Sequence, residues 1–260
     1  MGLPFDIIGE IAIAEVPEGA KPRETARRIM EKNKRVRTVY RKASGREGIY
    51  RTRRLRLIGG LSDPVTVHRE NGICLKMDVR KVYFSPREGT ERLRLAERIS
   101  SIFSSRPACV GMTFFSGIGA TPILLSKKTS TRSLVGIELN PHAVKYFREN
   151  IALNKAANVC SVLGDVRKEA RKFNGICDFI TMPLPETGWK FLATAMRCLS
   201  PRGVCFFYAI SGEDDLYCKW ERKIKHVANK LGKNPVFLER RKVLPYSSRK
   251  WKIRIDFRLE

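Results

Sequence analysis

The stretch CVGMTFFSGIGATPILLSKKTSTRSLVGIELN, residues 109–140, decides the fold. An apolar run leads into a glycine turn, a helical segment and a second apolar run, which is the pattern of a βαβ unit. Short apolar runs go on alternating with helical segments as far as residue 231. The alternation predicts an α/β fold with a mostly parallel sheet, helices on both faces and right-handed crossovers. The last two runs, PVFLERRKVL and KWKIRIDFRL, have no helix between them, so we predict an antiparallel pair at one edge.

Upstream of this stretch the sequence predicts a smaller α+β unit. Alternating runs at IIGEIAIAEV and ICLKMDV flank a helical segment that begins at Pro22. The next arginine-rich segment is predicted to be one strand with a cationic face formed by Arg51, Arg53, Arg54 and Arg56. Such a face suits either a charge-protected edge strand or contact with RNA. We predict two domains, residues 1–97 and residues 98–260.

The charge of the chain points to a polyanionic partner. Lys and Arg number 51 against 26 Asp and Glu, a net charge of +25 in 260 residues. A membrane surface is disfavoured because no apolar run approaches the roughly 20 residues of a membrane span, and the basic residues are spread over both halves. Seven cysteines without a C-x-x-C pair argue against a disulfide framework and against a zinc site. We therefore expect a nucleic-acid-binding protein of a reducing compartment.

Acidic residues stand where a ligand of a parallel sheet would lie, past the carboxyl ends of the strands. The first strand leads into a turn with Gly117 and Gly119, the second ends at Glu138, and the third ends at Asp165. A carboxylate about 20 residues beyond a glycine turn suits a ribose hydroxyl pair. The turn lacks the third glycine of a dinucleotide fingerprint, so a nucleoside without pyrophosphate fits better than NAD.

After the fourth strand comes MPLP, residues 182–185, at the same edge of the sheet. Its prolines leave few free backbone donors. The run is either a stiffened turn or a wall that positions a flat base beside the cofactor.

Taken together, these motifs resemble the archaeal and eukaryotic tRNA guanine-N1-methyltransferases that modify the guanosine immediately 3′ of the anticodon. The most specific segment is VYFSPREGTER, residues 82–92, and the resemblance continues through FFSGIGA, IELNPHAVKYFRENIALNK, LGDVR and MPLP. It implies a Rossmann-like class I methyltransferase sheet, S-adenosylmethionine as cofactor and the anticodon stem-loop of tRNA as partner. The family's usual extra N-terminal module is expected to be absent. A cytoplasmic monomer that binds neither DNA nor membranes is expected.

The resemblance also implies roles for individual residues. Glu91 corresponds to the general base that removes the N1 proton, and Arg51 to an arginine that stabilises charge on O6. Four further residues are expected to organise the active site: Arg87, Arg92, Pro183 and Pro185. The residues expected to bind the cofactor are Tyr83, Phe115, Gly117, Gly119, Glu138, Leu139, Asp165, Val166 and Met182.

Two residues depart from the family pattern. Thr113 stands where the first strand usually carries an aspartate, and Pro183 stands where an asparagine usually precedes Leu-Pro. Three alternatives stay open: an aminocarboxypropyl transferase acting on a tricyclic guanosine derivative, a methylase that also accepts that base, and a non-catalytic RNA-binding protein with the same fold.

Overall fold

The structure, a computed structural model, describes residues 4–106 and 108–260. Within these ranges the strands form three sheets of four, two and seven strands. None of the helices described there is long and apolar enough to cross a membrane.

The four-stranded sheet is built from the N-terminal part of the chain, with strands β1 (Phe5–Ile8), β2 (Ile11–Ala14), β3 (Thr38–Lys42) and β4 (Leu55–Gly60) in that order. Helix α1 (Pro22–Lys32) begins with proline at its first position, where the missing N–H costs nothing. Its Ala26 and Ile29 pack on the sheet, and Ala26 lies so close to Gly59 that a side chain there would clash. The predicted α+β character of this part is confirmed.

The prediction that the arginine-rich strand already includes Arg51 is wrong. Residues 48–51 form a turn in which the N–H of Arg51 donates to the carbonyl of Gly48, and both residues have positive φ. An isolated bridge between Glu47 and Thr52 closes this turn. A left-handed residue cannot continue a strand, so β4 starts only at Leu55.

A two-stranded hairpin, β5 (Val65–Glu70) and β6 (Ile73–Asp78), turns at Asn71 and Gly72, both with positive φ. The amides of Asn150 and Asn154 clamp it from the following part of the chain. Each amide accepts from and donates to the backbone of one residue, Lys76 for Asn150 and Cys74 for Asn154, at 2.7–3.1 Å. The hairpin is thereby fixed to the helix that carries these asparagines.

The large sheet contains β7 (Val110–Phe114), β8 (Ser133–Glu138), β9 (Val159–Leu163), β10 (Cys177–Met182), β11 (Leu199–Gly212), β12 (Pro235–Ser247) and β13 (Lys250–Leu259). Its order is β12-β13-β11-β10-β7-β8-β9. Strands β7 to β11 run parallel, and β13 and β12 are antiparallel. Both the parallel sheet and the terminal antiparallel pair were predicted, and both are confirmed.

Helices cover both faces of the large sheet. One apolar cluster joins the sheet to α2 (Gly89–Ile102), α3 (Ala120–Lys128) and α4 (Pro141–Leu153). A second joins it to α5 (Val166–Glu169), α6 (Leu192–Cys198) and α7 (Cys218–Asn229). Phe206 and Phe207 belong to different clusters because successive strand residues point to opposite faces. The predicted boundary at 97/98 falls inside α2, and the domain division stays a prediction.

Candidate active site

The large sheet has a topological switch point between β7 and β10. From β7 the chain moves outward through β8 and β9, then returns to add β10 on the other side of β7. Ligands of open parallel sheets bind past the carboxyl ends of the strands at such a point. A cleft of about 1120 Å³ lies there, lined by residues that follow β7, β8, β9 and β10 together with the 46–53 segment, Tyr83 and Tyr246.

The turn after β7 has an unusual backbone. Phe115, Gly117 and Gly119 all have positive φ, which glycine adopts without strain. Gly119 has a second constraint, because a Cβ at this position would lie 2.0 Å from Cδ2 of Phe147. At Gly117 the nearest atom to such a Cβ is the Tyr83 carbonyl oxygen, at 3.7 Å. Gly117 lines the cleft, whereas Gly119 packs on α4 beneath it.

Gly119→Ala is therefore expected to destabilise the fold more than Gly117→Ala. Backbone strain costs about 1–2 kcal/mol at either position, and the clash with Phe147 adds about 1–3 kcal/mol at Gly119 alone. Urea unfolding of the two variants measures the difference. Equal losses of unfolding free energy would mean that Phe147 moves aside without cost.

Glu138 ends β8 and lines the cleft. Its Oε2 accepts from the N–H of Gly117 at 2.8 Å, and its Oε1 accepts from the N–H groups of Leu139 and Asn140 at 2.9 and 2.8 Å. Burial raises the pKa of Glu138, and these three N–H donors offset part of that effect. The carboxylate is fixed in place and offers its remaining acceptor positions to a ligand.

Two aromatic side chains line the same cleft as Glu138. Phe115 meets Phe191 edge-on, with ring centroids 4.9 Å apart and planes at 75°. The Arg167 guanidinium lies 4.3 Å from the centre of the Phe191 ring. Asp165, also in the cleft, accepts from the N–H of Arg167 at 2.6 Å and caps α5. Aromatic walls beside a carboxylate suit a purine base with an exocyclic amino group.

The opposite side of the cleft is basic. Guanidinium groups of Arg46 and Arg51 lie 4.2 and 4.8 Å from the centre of the Tyr83 ring. Arg51 also forms an ion pair with Glu186, whose Oε1 accepts from Tyr246 as well, at 3.0 Å. Burial raises the pKa of Tyr83, whose hydroxyl lies 3.5 Å from Oε1 of Glu88.

The fold brings most of the predicted site residues together. Those that line the cleft are Arg51, Tyr83, Phe115, Gly117, Glu138, Leu139, Asp165, Val166 and Pro183. Those that do not line it are Arg87, Glu91, Arg92, Gly119, Met182 and Pro185. Met182 and Pro185 are buried in the fold.

Glu91 lies in a buried ionic cluster outside the cleft. It is 5% exposed, and its Oε1 accepts from the Tyr208 hydroxyl at 2.8 Å and from Arg254 at 2.7 Å. Arg254 in turn pairs with Asp256 at 2.7 Å. Burial, reinforced by the charge of Glu91, raises the pKa of Tyr208 well above its usual range. The proposed role of Glu91 as general base stays a prediction.

Arg87 and Arg92 hold the segment around Ser85 and the start of α2 in place. Arg92 donates twice to Glu70, at 2.6 and 2.7 Å, and once to the Ser85 carbonyl at 3.1 Å. Arg87 reaches Asp6 on β1 at 2.6 Å. Arg92 thus ties α2 to β5 and to the segment before the helix, and Arg87 ties that segment to β1.

Thr113, which stands where the family usually has an aspartate, packs inside the large sheet. Thr113 is fully buried, and its hydroxyl lies 3.0 Å from that of Thr181 on the neighbouring strand. Its side chain belongs to the interior and does not line the cleft.

Sequence reasoning missed several residues of the cleft. Among them are Arg46, Arg167, Glu186, Phe191 and Tyr246. Glu186 directly follows the MPLP run, so its position after a strand end was a usable signal. No signal in the sequence marked Tyr246, because this residue reaches the cleft through the antiparallel return of β12.

A doubly wound sheet, a glycine turn and a carboxylate after the second strand define the class I methyltransferase architecture. Residues 66–236 match the family described as the TRM5/TYW2 methyltransferase domain. The chain is 42% identical to tRNA (guanine(37)-N(1))-methyltransferase Trm5b of Pyrococcus abyssi over 257 residues, 98% of this chain and 74% of the relative. The chain belongs to the TRM5/TYW2 methyltransferase domain family.

Solved structures of related proteins superpose on this chain over nearly its whole length. The Pyrococcus abyssi Trm5b structure superposes with a TM-score of 0.87 at 41% identity, covering 99% of this chain and 75% of that one. aTrm5 in complex with tRNALeu gives 0.83 at 27% identity, covering 98% and 72%. Methanocaldococcus jannaschii TYW2 in complex with AdoMet gives 0.76 at 26% identity, covering 99% of both chains.

Proposed function

We propose that this protein transfers the methyl group of S-adenosylmethionine to N1 of the guanosine at position 37 of tRNA. One observation carries the proposal. A single cleft joins a nucleoside-binding side, with Glu138 and Asp165, to a basic side, with Arg46, Arg51 and Arg53. A methyl donor and an RNA base therefore have adjoining places in one cleft.

The residues on the nucleoside side fit the cofactor. Glu138 suits a ribose hydroxyl pair, because three backbone N–H groups hold a carboxylate that still has free acceptor positions. The apolar side chains on this side of the cleft, Phe115, Val166 and Phe191, suit the adenine ring, with Asp165 as acceptor for its amino group. When bound, S-adenosylmethionine supplies an electrophilic methyl group on a positively charged sulfur.

The residues on the basic side suit the target base. Arg51, held between Glu186 and the Tyr83 ring, places a fixed positive charge where O6 of guanine becomes more negative as N1 is alkylated. Pro183 and Leu184 supply an apolar wall for a base taken out of its stack.

The rest of the N-terminal part supports RNA binding. A groove on the four-stranded sheet is lined by Lys21, Arg23, Arg41 and Arg56. Lysines and arginines in such a groove neutralise backbone phosphates and release counterions. We propose the anticodon stem-loop as the partner and a cytoplasmic monomer as the working form.

Transfer of labelled methyl from S-adenosylmethionine to unmodified tRNA transcripts tests the proposal. A transcript with guanosine at position 37 is expected to be labelled, and one with adenosine there is not. Absence of label on the guanosine transcript would contradict the proposal. Product formation only on tRNA carrying the tricyclic base would instead identify an aminocarboxypropyl transferase or a methylase of that base.

A further inference from the structure

A second, smaller cavity adjoins the cleft on its basic side. Its volume is about 50 Å³, and it lies between the N-terminal sheet and the segment that precedes α2. The cavity and the cleft share four lining residues, Arg46, Arg51, Arg53 and Tyr83, so the two spaces meet. A space of this size accepts a few water molecules or one small group, but not a nucleobase. A molecule in the cleft can therefore extend one small group into the cavity.

The lining of the cavity is strongly basic. Its cationic side chains are Lys42, Arg46, Arg51 and Arg53. Lys42 pairs with Glu15, and Arg51 pairs with a carboxylate of the cleft. Among the residues that the structure describes, no carboxylate forms an ion pair with Arg46 or Arg53, and no side-chain hydrogen bond engages their guanidinium groups. Two of the four cations are thus left for a ligand.

The charge of Arg53 is poorly compensated within the protein. Arg53 is half-buried, and its burial and the nearby charge of Arg46 lower its pKa. The carboxylates of Glu15 and Asp6 offset this shift only in part. Asp6, an acidic residue of the lining, is itself bound by Arg87 at 2.6 Å. Guanidinium groups brought together at such positions repel each other unless an anion lies between them. The cavity therefore favours a negatively charged group.

The proposed ligands offer two anionic groups, a phosphodiester of the RNA and the carboxylate of S-adenosylmethionine. That carboxylate stands on the same carbon as an ammonium group, whose positive charge the basic lining would repel. A phosphodiester has no cation beside it, and its two non-bridging oxygens match the paired N–H groups of a guanidinium. The Arg46 guanidinium lies 4.2 Å from the centre of the Tyr83 ring, which holds it in place for such a contact. The chemistry of the lining favours the phosphodiester.

We propose that Arg46 and Arg53 form a binding site for the phosphodiester next to the target guanosine. The proposal rests on the proposed function and deepens it, because it adds a contact to the RNA backbone beside the base site. The target nucleotide is then held at both ends, by its base in the cleft and by its phosphate in the cavity. Phosphate contacts carry no sequence information, so this site positions the nucleotide and offsets part of the cost of unstacking its base.

The test measures binding of an anticodon stem-loop RNA to the full chain, with S-adenosylhomocysteine present. Three RNAs are compared: one unmodified, and two in which a neutral methylphosphonate replaces the phosphate on the 5′ or the 3′ side of guanosine 37. The variants are Arg46→Gln, Arg53→Gln and Arg53→Lys. Arg54→Gln is the matched control, because it removes the same charge from a neighbouring side chain that is 78% exposed and does not line the cavity.

On unmodified RNA, Arg46→Gln and Arg53→Gln are each expected to weaken binding by about 10- to 100-fold, the contribution of a charge-assisted contact. Each should also lower the slope of log affinity against log salt by about 1. Arg53→Lys should fall between the parent and Arg53→Gln, since lysine keeps the charge but loses the planar fork.

The modified RNAs identify the phosphate. One of the two methylphosphonates should weaken binding to the parent by a similar factor. Combining it with Arg53→Gln should add little, because both changes remove the same contact. The loss caused by Arg54→Gln should be the same on all three RNAs.

Full additivity of Arg53→Gln with both methylphosphonates would overturn the proposal. Weaker binding of S-adenosylmethionine to Arg53→Gln in isothermal titration, with RNA binding unchanged, would also overturn it and would assign the cavity to the cofactor carboxylate. Both measurements follow binding alone. If the parent protein transferred no methyl group, the proposed function would fail, whereas a non-additive loss of RNA binding would still establish the phosphate site.

Discussion

Arg51→Ala is expected to lower the single-turnover rate constant of methyl transfer by about 10²–10³-fold, the range seen when one donor to a developing oxyanion is removed. Arg51 is well fixed, since it pairs with Glu186 and lies 4.8 Å from the centre of the Tyr83 ring. It also holds a left-handed backbone conformation, with φ of 55°. Non-glycine residues in that conformation are frequent at functional sites.

The measurement is rapid mixing of enzyme, saturating S-adenosylmethionine and saturating tRNA, with dissociation constants determined separately. The matched control is Arg27→Ala, because the Arg27 side chain is 71% exposed and, among the residues that the structure describes, forms an ion pair with Glu31 on the same helix alone. Arg51→Lys should fall between the parent and Arg51→Ala, since lysine keeps the charge but loses the planar guanidinium. A defect confined to tRNA affinity would assign Arg51 to RNA binding alone.

The second large effect is expected on the affinity for the cofactor. Glu138→Ala should raise the dissociation constant for S-adenosylmethionine by about 10²–10⁴-fold, because two charge-assisted hydrogen bonds of about 1.5–3 kcal/mol each are lost. The substitution also leaves the N–H groups of Gly117, Leu139 and Asn140 without their acceptor. Glu138→Gln keeps one acceptor oxygen, so its loss should be smaller.

Isothermal titration with S-adenosylmethionine and S-adenosylhomocysteine measures this effect, with Glu97→Ala on the exposed side of α2 as control. Burial raises the pKa of Glu138, so its protonation on acidification begins at a higher pH than for an ordinary glutamate. Cofactor affinity should fall as the pH drops through that pKa, and Glu138→Ala should lack this dependence. Unchanged affinity in Glu138→Ala would remove Glu138 from the cofactor site.

The sequence predicted the nucleoside side of the cleft better than its basic side. Glu138 and Asp165 stand at the ends of strands that local alternation predicts, and carboxyl ends of parallel strands meet at one edge. The glycines after β7 marked the turn for the same local reason. No long-range contact was needed to find these residues.

The basic side depends on contacts between distant residues. Arg51 and Glu186 are separated by 135 positions, and Glu186 and Tyr246 by 60. The alternation of arginine and leucine predicted a strand at Arg51 because it satisfies a two-residue period, although Gly48 already marked a turn. The partners of Glu91 were equally hidden, since Arg254 lies on the last strand.

The interior that the N-terminal part shares with the large sheet limits how either part can change in evolution. One apolar cluster runs from Ile8 and Tyr40 in the N-terminal sheet through Leu95 to Phe206 in the large sheet. Asn150 and Asn154 add hydrogen bonds across the same junction. The N-terminal part therefore cannot be exchanged on its own, because a sequence replacing it must also complete the hydrophobic interior that it shares with the large sheet. Relatives are expected to change their RNA preference through surface side chains and to keep this junction intact.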